Sequence, residues 1–143
     1  MFIGRYEHSL DSKGRISVPA KIRDTLREDY KDERLILTCY EHYLVAYPVQ
    51  EWLQIGQKIR QAPNMEQGVS DFMRILFSNA SEVSFDRQGR ILIPPQMRAK
   101  AAIDKDVVMV GVMNKIEIWA QDKWLEYENT VQLDRARLAS FGI

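Results

Sequence analysis

Glu7-His8-Ser9-Leu10-Asp11-Ser12-Lys13-Gly14-Arg15-Ile16-Ser17-Val18-Pro19-Ala20-Lys21-Ile22-Arg23 returns seventy-five residues later as Glu82-Val83-Ser84-Phe85-Asp86-Arg87-Gln88-Gly89-Arg90-Ile91-Leu92-Ile93-Pro94-Pro95-Gln96-Met97-Arg98. Eight of the seventeen positions are identical, and several others exchange one apolar residue for another. The shared pattern is E-x-S-apolar-D-x-x-G-R-I-x-apolar-P-x-x-apolar-R. The chain is therefore a tandem duplication. Farther on, Leu44-Val45-Ala46-Tyr47 and Trp52-Leu53 match Ile116-Glu117-Ile118-Trp119 and Trp124-Leu125 at an offset of seventy-two. The second copy has thus lost three residues after Arg98, where the first carries the charged stretch Arg27 to Glu33, read as a solvated connection.

A unit of about sixty residues buries too little apolar surface to be comfortably stable alone, so the halves should pack together. The expected division is a first repeat over 1–61, a bridging helix over 62–79 and a second repeat over 80–143, forming one compact pseudo-two-fold unit. β-prone runs bounded by turn residues predict strands over Phe2–Tyr6, Arg15–Val18, Leu35–Cys39 and Tyr43–Tyr47. Their counterparts are Ser81–Phe85, Arg90–Ile93, Val107–Val110 and Lys115–Trp119. A short helix should open in each copy with Pro19 or Pro94 at its first position, showing Ile22 and Leu26, or Met97 and Ala101, to the interior. Apolar spacing predicts longer helices over Gln50–Gln61 (Trp52, Ile55, Ile59) and from Asp122 to about Ser140 (Trp124, Tyr127, Val131). Ala62-Pro63-Asn64 should break the chain before a bridging helix striped by Val69, Phe72, Met73 and Leu76. The fold class that follows is α+β with a mainly β core, peripheral helices and a C-terminal helix.

With 45% hydrophobic and 28% charged residues and a mean hydropathy of −0.34, the composition is that of an ordinary soluble domain. Nothing resembles a membrane span or a secretory signal, and a cytoplasmic location is expected. The single cysteine, Cys39, cannot form an intramolecular disulfide and reads as a small buried strand residue. Cys39 and His42 alone do not make a structural zinc site. Net charge is zero, but residues 1 to 27 are rich in arginine and lysine while residues 117 to 134 are acidic. A basic face on a neutral protein still attracts phosphate, because the local potential decides.

In each D-x-x-G-R element, Asp11 or Asp86 suits an Asx-turn, and Gly14 or Gly89 supplies the positive φ that lets a short loop rejoin a strand. These four are structural loop residues on that reading. Arg15 and Arg90 meet no backbone requirement. Two explanations stand: an ion pair to the aspartate four residues earlier or to its counterpart in the other copy, or presentation to DNA. A two-stranded β element fits the major groove, where an arginine can donate two hydrogen bonds to guanine O6 and N7. Lys13 and Arg87 on the loop tips would then hold phosphates, with Arg5, Lys21, Arg23 and Arg98 as further phosphate contacts.

Here the sequence resembles the MraZ family of bacterial transcriptional regulators. The resemblance is carried by the two loops together with Met1-Phe2-Ile3-Gly4, Tyr47-Pro48 with Trp52, Asn79-Ala80-Ser81-Glu82, and Asn114-Lys115-Ile116-Glu117-Ile118-Trp119. It implies an AbrB/SpoVT-like swapped-hairpin, double-split β-barrel core and assembly into a homo-oligomeric ring. It also implies binding to double-stranded DNA at short directly repeated G-containing boxes upstream of the protein's own division and cell-wall operon, and so a nucleoid-associated location. The family's basic loop positions map onto Lys13, Arg15, Arg87 and Arg90. Gln88 stands where the first loop has Lys13, so the loops need not read DNA equivalently.

Two other classes compete. A protein-interaction regulator could use the acidic C-terminal helix with Trp124 and Tyr127, which at helical spacing also suit a core. An enzyme has little support, because His8 and His42 belong to no nucleophile, metal or phosphate motif. The duplicated Glu7/Glu82 and Asp11/Asp86 read as structural rather than catalytic pairs. No cofactor, metal or small-molecule substrate is expected, and occupancy of a promoter by a multivalent assembly favours repression.

Overall fold

The computed structural model describes residues 1–39, 41–62 and 67–143. The first copy contributes β1 (Phe2–Ser9), β2 (Arg15–Ser17), α1 (Ala20–Thr25), β3 (Leu35–Cys39), β4 (Leu44–Pro48) and α2 (Val49–Arg60). After α3 (Gln67–Ser78), the second supplies β5 (Ser81–Val83), β6 (Arg90–Leu92), α4 (Pro95–Lys100), β7 (Asp106–Met113), β8 (Lys115–Ala120), α5 (Gln121–Thr130) and α6 (Arg135–Ser140). The Pro63-Asn64 part of the expected chain break lies outside the described residues.

Strand exchange between the copies organises the fold. Six strands form an antiparallel sheet in the order β1-β7-β8-β4-β3-β5, and β2 pairs with β6 in a separate ribbon. The first strand of each copy thus lies against the third strand of the other: His8 faces Val107, and its counterpart Val83 faces Leu35. Equivalent residues meet at the centre, where Val45 faces Glu117 in the sheet and Ile16 faces Ile91 in the ribbon. A pseudo-dyad passes through both pairs. The core is mainly β with helices outside it, and the hydrogen bonding does not close into a barrel among the described residues.

The interior repeats the duplication. Ile16/Ile91, Val18/Ile93, Ile22/Met97, Leu26/Ala101, Leu35/Val107, Leu37/Met109 and Leu44/Ile116 are all buried in one cluster. Each fully buried aliphatic side chain contributes roughly 1.5–3 kcal/mol, so neither copy could lose its partner without exposing half of this stabilisation to water. Cys39 lies in the same cluster, and burial pushes its thiol pKa up. Gly111 faces Gly4 across the β1/β7 pair. A Cβ there would stand 2.6 Å from the Ile3 nitrogen, so only glycine admits this backbone approach.

Several expected boundaries move. Pro19 and Pro94 are not the first helical residues: both are extended (ψ 140° and 146°) and sit one position before it. At Pro94 the reason is plain, because the following Pro95 disfavours a helical residue before it. The charged connection after α1 is partly helical, continuing as a wide π-type turn over Leu26–Tyr30 that buries Leu26. β1 and β7 are longer than expected because they pair along eight residues, whereas β5 keeps only three.

The single helix expected from Asp122 to about Ser140 is instead two. α5 stops where Val131 turns extended (ψ 135°), and Asp134 starts α6 by accepting a hydrogen bond from the Arg137 amide at 3.1 Å. An N-cap carboxylate satisfies an end amide that a continuous helix would have paired with a carbonyl. Trp124 and Tyr127 of α5 pack on the buried Trp119, with ring centroids 5.4 and 5.1 Å away. Tyr127 stays 43% exposed, so this aromatic stripe is only half a core. α3 is similarly divided, burying Leu76 while leaving Phe72 exposed.

Candidate nucleic-acid interface

Both D-x-x-G-R turns are built the same way. Asp11 Oδ1 accepts the Lys13 and Arg15 amides, each at 2.9 Å, and its Oδ2 accepts the Arg15 Nε–H at 2.7 Å. In the second copy, Asp86 Oδ1 accepts the Gln88 and Arg90 amides at 2.9 Å and Oδ2 accepts Arg90 Nε–H at 2.8 Å. Gly14 and Gly89 close the turns at φ +82° and +74°. Donors aimed at an anion favour its charged form. Both aspartates accordingly ionise below the usual carboxylate value, mainly through the Arg15 or Arg90 amide.

The ion pairs that the sequence left as one of two explanations for Arg15 and Arg90 are therefore formed. A cross-copy pair joins them, with Arg90 Nη1 3.6 Å from Asp11 Oδ2. These pairs do not use up the guanidinium groups. Binding Nε to a carboxylate fixes the plane of the side chain and leaves the Nη edge as a set of oriented donors. Arg15 and Arg90 keep 33% and 25% of their side-chain surface exposed.

The ribbon places these arginines on its outer face. Strand alternation turns Ile16 and Ile91 inward, so Arg15, Ser17, Arg90 and Leu92 point the other way. The Val18 amide donates to the Gly89 carbonyl and the Ile93 amide to the Gly14 carbonyl, each at 3.0 Å. Each turn is thereby fastened to the end of the opposite copy's strand. Lys13 and Arg87 stand exposed on the turns.

The remaining basic residues separate into different environments. Arg23 donates from Nε to the Val18 carbonyl at 3.1 Å and packs on Gly89. Arg98 packs on Gly14, with its Nε buried and unpartnered among the described residues. Each is a brace beneath the opposite copy's turn, a role the sequence reading missed although both arginines recur at the same repeat position. Lys21 is exposed on the first turn of α1. Arg5 is not part of this cluster: it is held by Glu128 at 3.0 Å and by Glu7 at 3.0 Å, with its guanidinium over Trp124.

Other candidate chemistry finds no assembly. Among the described residues no group of three or more histidine, cysteine, aspartate or glutamate side chains is placed to hold a metal. His42 packs edge-on against Tyr43 and Trp119, and Cys39 Sγ lies 3.3 Å from the Glu41 carbonyl. No described helix is long and apolar enough to cross a membrane.

Fold and site together define a duplicated, strand-exchanged protein that presents two carboxylate-braced basic turns on a two-stranded ribbon. A family model described as "MraZ protein, putative antitoxin-like" matches residues 1–75 and again 76–140. The chain is 43% identical over 132 residues to a protein named Transcriptional regulator MraZ from Natranaerobius thermophilus, covering 92% of this chain and 90% of that one. It is 42% identical over 135 residues to the Clostridium beijerinckii protein of that name (94% and 92% covered), and 38% identical over 146 residues to that of Clostridium acetobutylicum, covering both in full. The chain belongs to the MraZ family of transcriptional regulators.

Proposed function

We propose that the protein binds double-stranded DNA sequence-specifically and represses its own division and cell-wall operon from short directly repeated boxes in the promoter. The observation that carries this reading is the ribbon's outer face, where Arg15 and Arg90 are aimed by Asp11 and Asp86. A two-stranded ribbon fits the major groove, and a braced guanidinium enters it with less orientational freedom to lose. Lys13 and Arg87, on the rims, would meet phosphates. Arg23 and Arg98 would act beneath the turns, Lys21 beside them, and Arg5 away from the DNA.

Assembly into a homo-oligomeric ring would repeat this surface. One bound ribbon then raises the effective concentration of the next at a neighbouring box, which suits directly repeated sites. A promoter so occupied excludes polymerase. The protein would work in the cytoplasm on the nucleoid, without cofactor or catalysis.

A second reading has one observation behind it. Leu133, Phe141 and Ile143 are among the most exposed apolar side chains, and Leu133, Leu138 and Ile143 line an open hollow of about 430 Å³ beside α6. Such a patch suits a protein contact, and on that reading DNA binding is secondary.

The discriminating experiment is binding to the DNA upstream of the protein's own gene against a scrambled fragment, across a salt series. Wild type should bind the first selectively, and the Lys13→Ala/Arg87→Ala double variant should bind it weakly while assembling normally. Equal binding of both fragments would move the assignment to the protein-contact reading. The loop-tip variants are preferable to Arg15→Ala, which also removes the side-chain pair between Arg15 and Asp11.

A further inference from the structure

Duplication should make the two ends of the β2/β6 ribbon alike, and they are not. The outer-face cross-strand pairs are Arg15 with Leu92 and Arg90 with Ser17. Leu92 is 51% exposed although its strand neighbour Ile91 is buried. The arginines differ in the same sense. Arg90 is shared between Asp86 and Asp11, whereas Arg15 is held by Asp11 through Nε and its two Nη groups meet no acceptor among the described residues.

Resting on the DNA-binding reading above, we infer that the Arg15–Leu92 end reads a guanine together with a neighbouring thymine methyl, whereas the Arg90–Ser17 end does not discriminate on that methyl. Directly paired side chains in an antiparallel ribbon have Cβ atoms about 5 Å apart. Base pairs stack about 3.4 Å apart, so Arg15 and Leu92 reach the same or adjacent pairs. Arg15, with both Nη groups available, matches guanine O6 and N7. Leu92 offers an apolar surface, and in the major groove the thymine C5-methyl is the apolar feature it can cover. At the other end a hydroxyl replaces that surface. Ser17 can donate to or accept from several base edges, and Arg90 has one Nη group already facing a carboxylate. The ribbon therefore reads an asymmetric sequence, so each box has a direction.

The test begins with a duplex selected by the wild-type protein from a random 20-base-pair library. Each thymine is then replaced singly by deoxyuridine, which removes only the methyl. Competition binding is measured for wild type, Leu92→Ser and Ser17→Leu. Wild type should lose about fourfold at one thymine adjacent to a guanine, the value of one methyl-sized group leaving water. Leu92→Ser should bind with that sensitivity gone. Ser17→Leu, scanned on duplexes that carry a thymine at each position of the other end in turn, should acquire a second sensitive thymine there; its failure to do so also overturns the inference. Wild type insensitive at every thymine, or Leu92→Ser retaining the full loss, overturns the inference while leaving DNA binding intact. Failure to select any duplex overturns the DNA-binding reading itself. Should Leu92→Ser melt early, the wild-type scan and Ser17→Leu decide alone.

Discussion

The guanidinium of Arg23 lies against Gly89, so close that a Cβ on the glycine would stand 2.7 Å from Arg23 Cζ. Arg98 and Gly14 repeat the relationship at 2.8 Å. Since each pair joins a helix of one copy to the turn of the other, the two turns are held in place mutually. Gly89→Ala or Gly14→Ala adds a Cβ at positive φ and displaces the brace. Each should cost about 2 kcal/mol, the penalty of a left-handed non-glycine residue. Thermal melting would register it as a fall of roughly 6 °C, and an unchanged melting temperature would mean that the turn relaxes out of its positive φ as well as letting the arginine move aside.

Acid should loosen the turns. The folded-state pKa values of Asp11 and Asp86 lie below the ordinary 3.8, so the bracing they provide is complete above that value and is lost as pH falls through the lowered one. In NMR spectra, the Arg15 and Arg90 Nε–H signals should hold constant from pH 6 to about 5 and merge with those of free arginine in stronger acid. Asp11→Asn should abolish the pH dependence of the Arg15 signal and leave that of Arg90 largely in place. Parallel behaviour of both arginines in that variant would show that the shared Asp11 contact dominates.

On the DNA-binding reading, Lys13→Ala and Arg87→Ala should each weaken binding to all sequences alike and reduce the slope of log affinity against log salt by about 0.9, one phosphate contact apiece. Neither side chain is buried, and melting should not change. A loss confined to one DNA sequence would mean that the tip reads a base instead.

Thr38 donates to the Leu76 carbonyl at 2.8 Å and is completely buried. It anchors α3 over one half of the sheet; the counterpart in the other half is Val110. Thr38→Val should destabilise the fold by about 1–2 kcal/mol, because the hydroxyl is lost and the carbonyl is left in an apolar site. Denaturant unfolding measures this directly, and a neutral result would require water to reach the Leu76 carbonyl.

Much of this was legible in the residues. Repeat spacing and β-prone runs bounded by turn residues located the strands, because β-branched and aromatic residues suit a pleated surface and turn residues end it. The D-x-x-G-R composition revealed the turns, since an Asx-turn and a positive-φ glycine are local needs. The break between α5 and α6 was not legible: the apolar spacing of Trp124, Tyr127 and Val131 continues smoothly, and the competing signal is one capping carboxylate, Asp134. Nor was the separation of the eight basic candidates, as arginine looks the same in sequence whether it meets Glu128, braces a glycine or faces solvent.

The sequence by itself determined that two like units exist, which strands each contains, and that each turn carries its own aspartate and arginine. All of these follow from short-range chemistry repeated at a fixed spacing. Only the tertiary structure decided which strands the units exchange, that Arg23 and Arg98 support the opposite copy's turns, and that Leu92 faces outward beside Arg15. Those relationships join residues far apart in the chain, from 44 positions for Leu37 and Ser81 to 111 for Phe2 and Met113. They arise because a sixty-residue unit must borrow its neighbour's apolar surface to complete a core.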